Sequence, residues 1–125
     1  MKYKLVEKGN PQKPDAPKKW YANPVNQGII SKAQISKEIS GRSSLTAGDI
    51  SNVIENLIEE LPKYLIAGNS VKLGEFGTFR LSISGEGSDT KESYNVSNIK
   101  NAKVVFTPGT ELKKALDAIR YEKAD

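Results

Sequence analysis

The sequence predicts an α+β fold, with helices at the body, a long β-hairpin arm, and an extra N-terminal strand ahead of both. Three observations carry this. Ile50, Val53, Ile54, Leu57, Ile58, Leu61, Tyr64 and Leu65 recur at the spacing of one helical face. Val71, Leu73, Phe79, Leu81 and Ile83 fall on odd positions and so share one face of an extended segment. A polar, glycine-containing stretch at residues 84–93 then separates that segment from the β-branched run Val104-Val105-Phe106.

Each element follows from local chemistry. Residues 1–8 alternate, with Tyr3 and Leu5 opposed to Lys2 and Lys4, which predicts a half-buried strand. Gly9-Asn10-Pro11 ends it. Pro11, Pro14 and Pro17 recur at threes and predict an extended, polyproline-like path. Trp20 and Tyr21 follow two lysines; they could stack on bases, but the simpler expectation is that they pin the extension to the core. Pro24 and Gly28 bracket a turn-rich piece. Ser31 with Gln34 gives a capping box, Ala33 or Ile35 with Ile39 a short helix, and Gly41 its end.

Thr46 is the expected N-cap of the long helix, with Asp49 at its positive end. Its apolar face is wider than one short helix would cover, which argues for a dimer. Pro62 removes the bond to the Ile58 carbonyl and predicts a kink near Ile58–Leu61, or a helix that stops and restarts. Gly68-Asn69 terminates the element. Gly74 and Gly77 interrupt the central β stretch, as glycines do at bulges, bends or close backbone contacts. The return strand is expected within Tyr94–Phe106. Pro108-Gly109 turns the chain into a last helix that buries Leu112, Ala115, Leu116 and Ile119, and the chain is expected to fray from Tyr121.

Composition narrows the chemistry. The chain of 125 residues has neither cysteine nor histidine. Disulfides and thiolate metal sites are therefore excluded, and the commonest general base is missing. No catalytic set, no metal site and no cofactor is expected. Glu55, Glu59 and Glu60 read as a solvated helix face, and Glu86, Asp89 and Glu92 as an acidic loop tip rather than a cation site. Neither G-E-F-G nor G-E-G has the strand-to-helix context of a phosphate-binding loop. No run approaches the roughly 18 apolar residues of a membrane span, so a cytoplasmic protein with no membrane partner is expected.

The net charge of +4 is unevenly distributed. Residues 1–30 hold six lysines against Glu7 and Asp15, while residues 31–125 hold 13 basic and 13 acidic groups. This divides the chain into a basic extended segment (1–30) and a neutral domain (31–125). Charge alone supports contact with polyanions and a merely solvated segment equally.

V-K-L-G-E-F-G-T-F (71–79), followed after a β arm by V-F-T-P-G-T-E-L-K (105–113), resembles the HU/integration-host-factor family of bacterial DNA-binding proteins. The resemblance spans about residues 31–119. The N-terminal segment, K-G-N-P-Q-K-P-D-A-P-K-K-W-Y, resembles the extended variant found in the Bacteroidetes group. The resemblance implies an intertwined homodimer, two β-ribbon arms around double-stranded DNA, and a histone-like role in the nucleoid with low sequence specificity. Carried over by position, the implied DNA contacts are Lys113 near the P-G turn, Arg80, Lys100 and Lys103 on the arm, and Lys72. The basic extension would add Lys2, Lys4, Lys18 and Lys19.

The chain departs from the family pattern at the arm. No proline lies between residues 80 and 107, and the tip E-G-S-D-T-K-E holds three acids and one lysine. Thr107 and Thr110 stand where the family commonly has lysine. These departures weaken the expectation of sharp bending. They keep open a second reading, an HU-like dimer scaffold with weak or no DNA binding that acts as a protein-interaction or structural module.

Overall fold

The computed structural model describes residues 1–124. The chain divides into two compact units. One gathers Met1–Ile29 and the residues from Ala115 on; the other is Ile30–Lys114. The first boundary lies beside residue 30, where the charge balance changes. The C-terminal residues join the first unit rather than the second.

In the first unit, β1 (Lys2–Lys8) and β2 (Lys19–Pro24) form an antiparallel hairpin, with Tyr3 opposite Pro24 and Lys8 opposite Lys19. A short β6 (Glu122–Lys123) joins β1 in parallel, so the sheet order is β2-β1-β6. Three expectations are corrected here. The proline-rich segment is not a polyproline path. It forms tight turns in which Lys13 N–H donates to the Asn10 carbonyl and Ala16 N–H to that of Lys13, both at 3.0 Å. Asn10 Oδ1 also accepts the Gln12 N–H. Side-chain capping by asparagine outweighs the extended preference of the prolines. Trp20-Tyr21 lies in a strand, and neither ring is pinned in a core: they are 63% and 48% exposed. The end of the chain does not fray at Tyr121, because Glu122 N–H donates to the Met1 carbonyl and Ala124 N–H to that of Tyr3.

The second unit opens with α1 (Lys32–Ser40), where Ser31 Oγ accepts the Gln34 N–H at 3.2 Å. Ser36 is buried, and its hydroxyl donates to the Lys32 carbonyl at 2.8 Å. In α2 (Ala47–Ile66), Thr46 and Asp49 form a reciprocal capping box, with bonds of 3.1 and 3.2 Å. The helix runs continuously through Pro62, so the stop-and-restart expectation is corrected. The single missing hydrogen bond, costing about 3 kcal/mol in a regular helix, is tolerated where half-buried Leu61 and buried Leu65 flank the proline. Gly68, at φ +94°, ends the helix: Asn69 N–H reaches the Tyr64 carbonyl and Gly68 N–H that of Leu65.

The expected single strand around Gly74 is instead a hairpin. β3 (Val71–Leu73) and β4 (Gly77–Gly85) pair antiparallel across the turn Gly74-Glu75-Phe76, with Gly74 at φ +52°. The shared face survives, because Val71 sits opposite Phe79. β4 then pairs with β5 (Ile99–Pro108) in a sheet ordered β3-β4-β5. The return strand starts at Ile99, inside the expected window, and runs two residues past it to Pro108. Residues 96–98 form a 3₁₀ turn capped by Asn95 and Asn98, whose side chains bond the backbone in preference to a ladder.

The three phenylalanines of the chain cluster here: the Phe106 ring lies 5.2 Å from that of Phe76 and 4.8 Å from that of Phe79. Phe106 also lies over Gly77, where a Cβ would fall 2.5 Å from its ring. Gly109 N–H donates to the Phe76 carbonyl at 2.8 Å, and Glu111 N–H, in the first turn of α3 (Thr110–Leu116), to that of Glu75. The two motifs that carried the resemblance are thus halves of one backbone junction. Leu112 and Ile119 are half-buried, whereas Ala115 and Leu116, expected to be buried, are exposed at the end of α3.

Ile50 and Leu65 are the buried apolar core, with Ile54 and Leu61 half-buried beside them. Val53 and Ile58, on the same helix, stay 62% and 57% exposed. An open apolar groove of about 360 Å³ separates α2 from the sheet, lined by Ile58, Leu61, Ile66, Phe79, Leu81 and Val104.

Candidate nucleic-acid interface

The register of the β3-β4-β5 sheet sorts its side chains. Phe79, Leu81 and Ile83 pair with Phe106, Val104 and Ala102, which makes one face apolar. The opposite face carries Lys72 beside Thr78 and Thr107, then Arg80 opposite Val105, then Lys103 opposite Ser82, then Ser84 opposite Asn101. Three of the expected contacts, Lys72, Arg80 and Lys103, are therefore brought onto one sheet face, among short hydroxyl side chains. All three are exposed, and no acid takes part in an ion pair with them among the described residues. Such a face presents fixed cations and small donors, the groups that engage phosphate oxygens.

The other two expected positions of this unit lie elsewhere. Ser84 pairs with Asn101 but Gly85 with Ile99, so Lys100 is the extra residue of a β-bulge and leaves the alternation. Lys113 is carried by α3, exposed, and not by the sheet. Beyond the bulge, the acidic tip is a closed loop: Glu86 N–H donates to the Asn98 carbonyl at 2.8 Å, and Ser88 Oγ to that of Thr90 at 2.6 Å.

In the first unit the alternation gathers the lysines of β1 on one face. Tyr3, Leu5, Ala22 and Pro24 share one face, which with Met1 and Tyr121 lines an apolar hollow. Lys2, Lys4, Val6 and Lys8 share the other, with Lys19, Tyr21 and Asn23 of β2. Lys2, Lys4 and Lys19 thus fall together, while Lys18 precedes the strand and runs along Gly9. Two basic residues were not singled out from the sequence: Lys8, whose Nζ stands 5.9 Å from the centre of the Tyr21 ring, and Lys13, in the hairpin loop. The signal that would have found them is the β1–β2 pairing, which the three prolines between the strands conceal.

Among the described residues no helix is long and apolar enough to cross a membrane, and no group of carboxylates is placed to hold a metal.

Comparison with known proteins gives a consistent answer. The family described as HU-HIG, an HU domain fused to wHTH, Ig, or Glycine-rich motif, matches residues 1–123. Integration host factor subunit alpha of Vibrio cholerae is 29% identical over 96 residues, covering 75% of this chain and 98% of that protein. The Haemophilus influenzae subunit alpha is 33% identical over 90 residues, covering 70% and 94%. A crystal structure of a candidate bacterial DNA-binding protein from Bacteroides vulgatus matches 98% of this chain with a TM-score of 0.64 at 16% identity, a likeness of fold. This chain spans about half of that one, 47% of its length. With a helix-helix-hairpin-helix body, a junction built from both signature motifs and a family match over nearly its whole length, this chain belongs to the HU/integration-host-factor family of bacterial DNA-binding proteins, in its HU-HIG branch.

Proposed function

We propose that this protein is a histone-like, nucleoid-associated DNA-binding protein that acts as a homodimer. It grips double-stranded DNA through phosphate contacts with low sequence specificity and bends it only weakly. Members of its family are architectural DNA-binding proteins, not enzymes. The observation that carries the reading is the shared, unpaired placement of Lys72, Arg80 and Lys103 on one face of the arm-bearing sheet. Lys100 at the bulge and Lys113 on α3 add further cations, and Lys2, Lys4, Lys18 and Lys19 supply contacts from the N-terminal unit. The exposed half of α2 and the apolar groove beside it supply the dimer surface, since a second copy would remove Val53, Leu57 and Ile58 from water.

The acidic tip explains the weak bending. Glu86, Asp89 and Glu92 outnumber Lys91, and negative charge entering a minor groove is repelled. The same feature favours the second reading, a dimer scaffold that has lost tight DNA binding. A salt titration of binding to a short duplex separates the two. Affinity that falls steeply with salt supports the first, with an exponent of about 0.9 for each phosphate neutralised. The variant Lys72→Gln/Arg80→Gln/Lys103→Gln is expected to bind more weakly with a shallower slope. A sedimenting dimer with no affinity even at low salt overturns the DNA-binding reading and leaves the scaffold.

A further inference from the structure

The loop end of the β1–β2 hairpin holds a groove of about 480 Å³ lined by Lys8, Lys13 and Lys19, with Tyr21 as one wall and Ala16 and Pro17 among its other lining residues. Lys8 and Lys19 are direct cross-strand partners on one sheet face. Like charges placed opposite each other destabilise a sheet. Here the loop brings a third lysine to the pair instead of an acid: Asn10 and Lys13 pair as a β-bridge, and the Lys13 N–H is bonded to the Asn10 carbonyl. Glu7 points to the opposite sheet face by register, and Asp15 is not among the groove's lining residues. None of the three lysines has an ion-pair partner among the described residues. The Tyr21 ring offsets part of the repulsion through Lys8, 5.9 Å from its centre. Mere solubility needs no such convergence, since dispersed lysines would serve as well without mutual repulsion.

We propose that this groove is a dedicated DNA phosphate site: the three lysines neutralise consecutive phosphates of a strand whose sugar edge packs on Tyr21. Lys2 and Lys4 continue the basic row along β1 and lead the strand into the groove. The inference rests on the DNA-binding reading and deepens it, because it moves the principal N-terminal contacts to Lys8 and Lys13. The site is separate in sequence from Lys72, Arg80 and Lys103, so each can be removed alone.

The test uses the full chain and a short labelled duplex. The variant Lys8→Gln/Lys13→Gln/Lys19→Gln is expected to lose about tenfold or more in affinity at low salt. Its salt exponent should fall by about 2.7 for each groove lost, at about 0.9 per phosphate. Acylation of wild-type lysines, read by mass spectrometry with and without duplex, provides a measure that needs no variant: Lys8, Lys13 and Lys19 are expected to be protected. Unchanged affinity and slope, or protection confined to Lys72 and Lys103, overturns the groove while leaving the sheet-face reading intact. Protection of the three lysines by anionic phospholipid vesicles but not by duplex also overturns it. If the groove variant loses binding while Lys72→Gln/Arg80→Gln/Lys103→Gln binds like wild type, the groove stands and the sheet-face reading falls. If wild type itself fails to bind or protect, both fall.

Discussion

Two three-stranded sheets in this chain follow the same plan and are held together differently. Each sends carbon to one face and lysine to the other. In the β3-β4-β5 sheet the apolar face is consolidated by three interlocked phenylalanine rings and sits beside a helix with a buried core. Every buried residue described, Ser36, Ile50, Leu65 and Gly77, belongs to that unit. The β2-β1-β6 sheet buries none, and its most bulky ring, Trp20, is largely exposed. Strand pairing alone makes a sheet; packing density makes it stable. The arm-bearing sheet therefore has the rigidity to position its cations, while the N-terminal sheet depends on pairing and half-burial.

The contrast can be broken most sharply at Gly77. It combines φ +155° with a Cβ path blocked by the Phe106 ring and the Thr107 carbonyl. Gly77→Ala is expected to cost about 4 kcal/mol, strain and overpacking together, seen as a collapse of the thermal transition. Removing the ring instead, Phe106→Ala, should cost about 3 kcal/mol in a denaturant titration, because Phe76 and Phe79 both lose their partner. Equal stability of either variant and wild type would show that the cluster does not distinguish the sheets. Hydrogen exchange sharpens the comparison without mutation. Amides paired between β1 and β2 should exchange about 100-fold faster than those between β4 and β5, and equal protection would show that the N-terminal sheet has a core of its own.

Smaller effects lie in the helices. Thr46→Ala removes one side of the α2 capping box and should cost about 1 kcal/mol, read by chemical denaturation. The smallest effect is at Glu60. Its hydrogen bond to Lys63, and then the charge of that ammonium, hold its carboxyl below the usual range. A lowered pKa gives stability that is present above the unfolded value and lost as pH falls through the folded one. The group is exposed, so Glu60→Gln should leave the melting temperature at neutral pH unchanged. A marked fall would show that this helix face is covered in the assembled protein.

Much of the second unit is legible in the residue order because its signals are local. Thr46 with Asp49 and Gly68 with Asn69 mark the ends of α2 through bonds to backbone groups within one turn. The face shared by Phe79, Leu81 and Ile83 follows from the period of an extended chain. The basic sheet face is partly legible too, since the alternation that puts carbon on one side puts Lys72, Arg80 and Lys103 on the other. Only the tertiary structure decided what depends on partners distant in sequence. Residues 19–24 became a strand because β1 offers them a ladder, and residues 122–123 because the same strand has a second free edge. Lys8 faced Lys19 only once that register was set. Caps and periodicity are written in neighbouring residues; strand partnership is fixed by backbone groups brought together across a loop, which no local pattern encodes.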